Sequence, residues 1–138
     1  GGASWNDIRN WIETNRDQAA ALLAVNPRYI FFREVQGDGP IGAAGVALTP
    51  RRSLAVDPRF VPYGVPVWLD TNWPNDLAKP LRQLMIAQDT GSAIRGPIRG
   101  DFFWGYGAEA LSFAGRMKSQ GAYFLLLPRA AAERMTGS

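Results

Sequence analysis

The sequence contains no cysteine and no histidine. Together these absences exclude thiol nucleophiles, disulfide staples, imidazole bases and the usual zinc ligand sets. Acid–base chemistry in this chain therefore falls to carboxylates, lysine or tyrosine. No apolar run approaches the roughly 20 residues of a membrane-spanning helix. Gly1-Gly2-Ala3 leads into a polar helical stretch, without the apolar core of a signal peptide or a lipidation motif. Charge is also modest: fifteen basic and twelve acidic residues leave +3. That excess favours anionic partners weakly, and it is too small and too evenly spread to indicate a nucleic-acid surface.

A length of 138 residues allows one core and not two. With 46% hydrophobic and 20% charged residues the balance is globular rather than disordered or fibrous. Ser4, then Trp5, Ile8 and Ile12 at helical spacing with Asp7 three residues past the cap, predicts a first helix. Thr14 and Asp17 repeat the pattern ahead of Ala19, Ala20, Leu22 and Leu23, and Asn26-Pro27 closes a second helix. Residues 1–27 read as a helical lead-in, with Trp5 and Trp11 as packing residues.

β-structure is expected from there on. Tyr29–Phe32, Gly42–Leu48, Ser53–Val56, Val65–Leu69, Leu81–Ala87 and Ala122–Leu127 are short apolar segments bounded by turn residues. Pro66 marks its strand as an edge or a bulge, and Asp70 to Pro80, dense in Asn, Pro and Asp, reads as a loop. Ala108, Leu111, Ala114 and Gly115 keep a helical rhythm that Gln120-Gly121 stops. Residues 129–138 read as a flexible tail. Strands spaced by turns, with one helix before the last, predict a small closed β-barrel.

The chain centres on Gln88 to Gly107, QDTGSAIRGPIRGDFFWGYG. Leu84-Met85-Ile86-Ala87 runs into Asp89, so its carboxylate falls where a strand ends and a loop begins, a common place for a site. Asp101 follows a glycine-rich basic segment and precedes Phe102, Phe103 and Trp104. Aromatic neighbours disfavour a charged carboxylate, whereas Arg95 and Arg99 favour one, and the residues alone do not decide between them. By composition alone, Asp89 and Asp101 read better as solvated loop acids than as a site. Asp57, ahead of Pro58, reads as a turn-forming side chain. Trp104 and Tyr106 are sugar platforms or core anchors, and Arg95 and Arg99 are carboxylate partners or solvated charges. No Gly-Lys-Ser/Thr follows the glycines, so a phosphate loop is not indicated. Nothing in the spacing of the three acids calls for a metal ion.

This stretch resembles the signature of the 3D domain, named for three aspartates, of the membrane-bound lytic transglycosylase A (MltA) family, which cuts bacterial cell-wall glycan. The resemblance runs from about Asn26 to Pro128, through NPRYIFFRE, TPRRSLAVD, the turn in FVPYGVPVWL, the central stretch and GRMKSQGAYFLLLP in that order. Ser92 stands where the family has the second of two paired glycines. The resemblance implies a mainly β fold: a small six-stranded double-psi β-barrel with flanking helices, residues 28–128 forming the 3D domain. It also implies that an N-terminal portion of the same protein, absent from this chain, completes the barrel.

The implied activity is lytic cleavage of the β-1,4 bond between N-acetylmuramic acid and N-acetylglucosamine in peptidoglycan glycan strands. The muramoyl 6-hydroxyl attacks its own C1 and gives a 1,6-anhydro ring, so no water is consumed. Asp101 would act as general acid and then base, Asp89 would assist, and Asp57 would support. Gln88, Thr90, Gly91, Arg95, Arg99, Trp104 and Tyr106 would meet the substrate, with no cofactor and no metal. The implied location is periplasmic, outer-membrane associated in the full-length protein. The competing reading is a non-catalytic barrel that binds glycan or a protein, as expansin-like barrels do.

Overall fold

The computed structural model describes residues 5–27, 31, 34 and 36–136. Contacts divide the chain into two units, Gly1–Glu34 and Val35–Ser138. In the first, α1 (Trp5–Thr14) and α2 (Arg16–Ala24) are separated by Asn15 alone. The break has a local cause. Thr14 Oγ1 donates to the Asn10 carbonyl and Asn15 Nδ2 to the Trp11 carbonyl, so both side chains serve the end of α1. Thr14 is therefore not the cap of the second helix, as its spacing predicts; Asn15 occupies that position and makes no side-chain cap bond. Trp11, expected to pack, is 39% exposed. Ser4 and the expected strand Tyr29–Phe32, Phe31 apart, lie outside the described residues.

The second unit runs β1 (Ser53–Val56), β2 (Pro66–Trp73), β3 (Asp76–Asp89), β4 (Gly100–Phe102), α3 (Gly107–Ala114), β5 (Ala122–Leu125) and α4 (Arg129–Thr136). The strands form one sheet in the order β4-β1-β3-β2-β5, with β1 and β3 parallel and the other neighbours antiparallel. Alternation along the strands builds the core. Val67, Leu69 and Thr71 of β2 lie opposite Met85, Gln83 and Leu81 of β3, and Leu54 of β1 lies between Ala87 and Phe102. Met85, Val67, Val56 and Ala87 have no exposed surface. Truncating a side chain buried like Met85 costs about 2–5 kcal/mol. Trp73, Phe102, Trp104 and Phe113 join this core, with ring centroids 4.4–5.5 Å apart.

All four residues of β1 are buried. Leu54 and Val56 face the core; Ser53 and Ala55 face the segment that precedes the strand. There Thr49 N–H donates to Ser53 Oγ at 2.8 Å, Leu48 is buried, and Ala44 N–H reaches the Gln88 carbonyl at 3.0 Å. Gly42 makes this approach possible, because a Cβ there would lie 2.6 Å from the Gln88 oxygen. Gly42–Leu48 is thus not the expected strand. It is a tight turn closed by Gly42 and Val46, with one bridge between Ile41 and Ala47, and Gly45 takes a positive φ of 77°.

Other expectations are corrected by the sheet. Asp70 to Pro80 is a hairpin, with only Pro74-Asn75 turning between β2 and β3. Asp70 and Asn72 alternate with the buried Thr71, and Asp70 and Arg82 are cross-strand partners 3.2 Å apart. Pro66 opens β2, where a missing N–H is tolerated, and β2 is an interior strand rather than an edge. α3 ends at Ala114, before Gln120-Gly121, and residues 129–136 form α4 rather than a tail. The Pro128 carbonyl accepts from Ala131 and Ala132, which starts that helix on strong helix formers. The six-stranded closed barrel is not formed: the described residues supply five strands, and β4 and β5 remain the two edges of an open sheet.

Candidate functional site

Ala55, in the middle of β1, is the cross-strand partner of Asp89 on β3 and of Asp101 on β4. Cross-strand partners share a face, so both aspartates stand on the same side of the sheet, flanking β1. Two strand spacings put their Cα atoms roughly 10 Å apart. A bulge produces this arrangement. Leu54 pairs with Ala87 and Ala55 pairs with Asp89, so Gln88 is skipped. In unbroken register Gln88 would pair with Ala55, and Asp89 would turn to the core face.

Each carboxylate has its own partner. Asp89 Oδ1 accepts from the Ala43 amide at 3.0 Å, so the turn over β1 also fixes this side chain. Asp101 is half-exposed and receives a fork from Arg99, with Nε 2.7 Å from Oδ1 and Nη2 3.3 Å from Oδ2. Those bonds, and the attraction between the charges, hold the Arg99 guanidinium above its ordinary value. Asp57 follows β1 directly and its side chain is fully buried. Arg59 donates to it through Nη2 at 2.6 Å and Nε at 3.0 Å, and Gly96 donates its amide at 2.9 Å. The Arg59 bonds first, and the Gly96 amide next, hold the Asp57 carboxyl well below the usual carboxylate range against the opposing effect of burial.

The Gly96 bond ties the loop between Asp89 and Asp101 to the end of β1. On the next residue, the Pro97 carbonyl accepts from the Tyr123 hydroxyl of β5, which burial pushes up. Ile94 is the buried anchor of this loop, and its amide donates to the Gly91 carbonyl at 3.0 Å. Held at these points, the loop delivers Arg99 and Asp101 to the edge of the sheet.

The remaining expected residues are distributed unevenly. Gln88 Oε1 accepts from Ser53 Oγ at 2.6 Å, and Thr90 and Gly91 are half-buried at the end of β3. Arg95 is exposed and donates to the Ser92 carbonyl. Trp104 is buried: its ring lies against Phe102, Phe113 and Trp73, and Nε1 donates to Met117 Sδ. Tyr106 is 81% exposed, which leaves it as the open aromatic of this stretch. Four contributors were not legible beforehand: Ala43, Arg59, Tyr123 and Lys118. Of these only Arg59 carried a signal, two positions after Asp57 with a proline between. Lys118 lines a cleft of about 530 Å³ together with Ile98, Arg99, Asp101 and Met117. Among the described residues no group of three or more His, Cys, Asp or Glu is placed to hold a metal ion.

A mixed sheet with three aspartates gathered about the end of one buried strand defines the class, and comparison with known proteins specifies it. The family model described as the 3D domain matches residues 52–127, which span β1 to β5 and all three aspartates. The chain belongs to the 3D domain family, and its domain is of the MltA type. It is 37% identical over 131 residues to membrane-bound lytic murein transglycosylase A of Escherichia coli, covering 89% of this chain and 35% of that protein. The crystal structure of MltA from Neisseria gonorrhoeae is similar with a TM-score of 0.83 and 43% identity, over 91% of this chain and 32% of that one. The E. coli MltA structure with bound chitohexaose gives 0.76 and 30%, over 87% and 37%. The chain thus spans about a third of the length of these relatives.

Proposed function

We propose that this chain is the later part of a peptidoglycan lytic transglycosylase, with Asp101 as its acid and base. The observation that carries the reading is the register of Asp89 and Asp101 on either side of Ala55, on one face of the sheet. Asp101 delivers a proton to the oxygen leaving muramoyl C1. The same carboxylate then takes the proton of the 6-hydroxyl as that oxygen attacks C1, so the bond broken is replaced within the sugar and no water enters. Asp89 stabilises positive charge developing on the ring. Asp57 acts from behind by holding the loop at Gly96, and Tyr106 offers a ring on which a sugar can stack.

The share of the relatives that this chain covers supports a second element of the proposal. An N-terminal portion of the longer protein closes the sheet between β4 and β5 into a six-stranded double-psi barrel. Core side chains Leu54, Leu69 and Phe102 line a small cleft of about 80 Å³ there, as expected of a core awaiting another strand. The relatives' description as membrane-bound supports a place in the cell envelope. No described helix is long and apolar enough to cross a membrane.

Mass spectrometry of soluble products tests the reading, after peptidoglycan is incubated with the chain alone and together with its N-terminal portion. Products ending in 1,6-anhydromuramic acid are expected, and Asp101→Asn should abolish them. Reducing-end products would mean hydrolysis by water instead. No product from either preparation would leave a glycan-binding barrel as the better account.

A further inference from the structure

In the state seen here Asp101 offers no free oxygen. Both of its oxygens accept from Arg99, Nε on Oδ1 at 2.7 Å and Nη2 on Oδ2 at 3.3 Å. A guanidinium fork occupies the positions where a proton would sit. The pair is not locked, however, because both side chains are about half exposed, 53% for Arg99 and 47% for Asp101. Exposed ion pairs of this kind are worth little and exchange readily. Among the described residues, the charged groups placed with Asp101 are Arg99, immediately ahead of β4, Lys118 across the shared cleft, and Asp89 beyond β1. That cleft, lined by Ile98, Arg99, Asp101, Met117, Lys118 and Ser119, holds two cations and one anion.

Building on the transglycosylase reading, we infer that Arg99 is a specificity switch, released from Asp101 when a carboxylate of the muramoyl substrate takes its fork. The arriving carboxylate binds Arg99, with Lys118 as the second cation of the cleft. Asp101 is left without its counter-ion beside a bound sugar and takes one proton from solvent. It then passes that proton to the leaving oxygen. An uncharged glycan cannot make this exchange and meets an Asp101 that is still paired. Discrimination thus comes from arming the acid rather than from binding alone.

The test uses whichever preparation forms anhydro product with peptidoglycan. Its substrates are naked glycan strands, with free lactyl carboxylates, and stem-bearing strands, each with and without conversion of carboxyls to methylamides. Wild-type protein should lose kcat/KM on capped strands, and the strand type that loses more identifies the lactyl or the stem carboxylate as the trigger. Arg99→Gln should change kcat/KM in opposite directions: down for free carboxylates and up for capped strands, roughly two- to fivefold each, the range of an exposed ion pair. Arg99→Lys should restore part of the preference. Equal losses on free and capped strands would reduce Arg99 to a structural role, as would a wild type indifferent to capping. Absence of anhydro product from the wild type would instead remove the transglycosylase reading, and this inference with it.

Discussion

Replacing Gly42 by alanine tests how tightly the turn over β1 is seated. The added Cβ would lie 2.5 Å from Leu48 Cδ2 and 2.6 Å from the Gln88 carbonyl oxygen, where carbon contacts are most favourable near 3.5–4.0 Å. The Leu48 methyl is buried and the Gln88 oxygen belongs to the bulged strand, so neither is free to retreat. φ at Gly42 is not positive, so the cost is steric rather than conformational. Overpacking costs about 1–3 kcal/mol. Moving the turn also strains the Ala43 bond to Asp89 and the Ala44 bond to Gln88, each worth about 0.5–1.5 kcal/mol. The sum is about 2–6 kcal/mol, or roughly 8–24 °C in Tm at about 4 °C per kcal/mol for a chain of this size. Thermal unfolding by circular dichroism measures it. Gly45→Ala is the comparison, because nothing lies within 4 Å of its Cβ position and only its φ of 77° is penalised, by about 1–2 kcal/mol. A Gly42→Ala protein melting within about 2 °C of wild type, or above Gly45→Ala, would refute the seating described.

Two further outcomes follow from side chains near the site. Asp57 has a folded-state pKa below its unfolded value, so the unfolded chain binds the proton more readily. Its contribution is complete above about pH 4 and is lost as the pH falls below that. Urea unfolding across the acid range should show wild-type stability declining more steeply than that of Asp57→Asn, and superimposable slopes would contradict the pairing with Arg59. Arg51 has a φ of 60° in the turn closed by Arg52 and Thr49, and its guanidinium lies 5.4 Å from the Trp73 ring and 5.8 Å from that of Trp104. Arg51→Ala loses the ring contacts and keeps the strain, whereas Arg51→Gly relieves it. The glycine variant should therefore be the more stable by about 1–2 kcal/mol, and equal melting temperatures would count against a left-handed backbone there.

What was legible in the sequence was local. The run Leu84–Ala87 announced a strand delivering Asp89, and β3 does end on that residue. Ser53–Val56 is β1 as its apolar run predicts. Asp101 was readable as a candidate but not as a strand residue, because Gly100-Asp101-Phe102 has no periodicity of its own and is a strand only through pairing with β1. The Asp70–Pro80 hairpin reads as a loop in sequence because its exposed face is built from the same Asp, Asn and Pro that mark loops. Trp104 lies three residues after Asp101, past the end of β4, and its ring packs into the core against Phe102, Phe113 and Trp73, which nearness in sequence alone could not show. The closed barrel expected from the strand spacing is not formed by the described residues, which pair into five strands and leave β4 and β5 as edges.

The bulge at Gln88 carries a consequence for how related chains vary in length. Both aspartates are set by one residue of β1, so the number of residues from Met85 to Asp89 is fixed by the pleat. One insertion or deletion there would turn Asp89 away from Asp101. The stretch from Gly91 to Ile98 obeys no such count: it must leave β3, seat Ile94, meet the Asp57 carboxylate and the Tyr123 hydroxyl, and return to β4. In an alignment of functional homologues, gaps should gather between the two aspartates and be absent from the strand that carries the first.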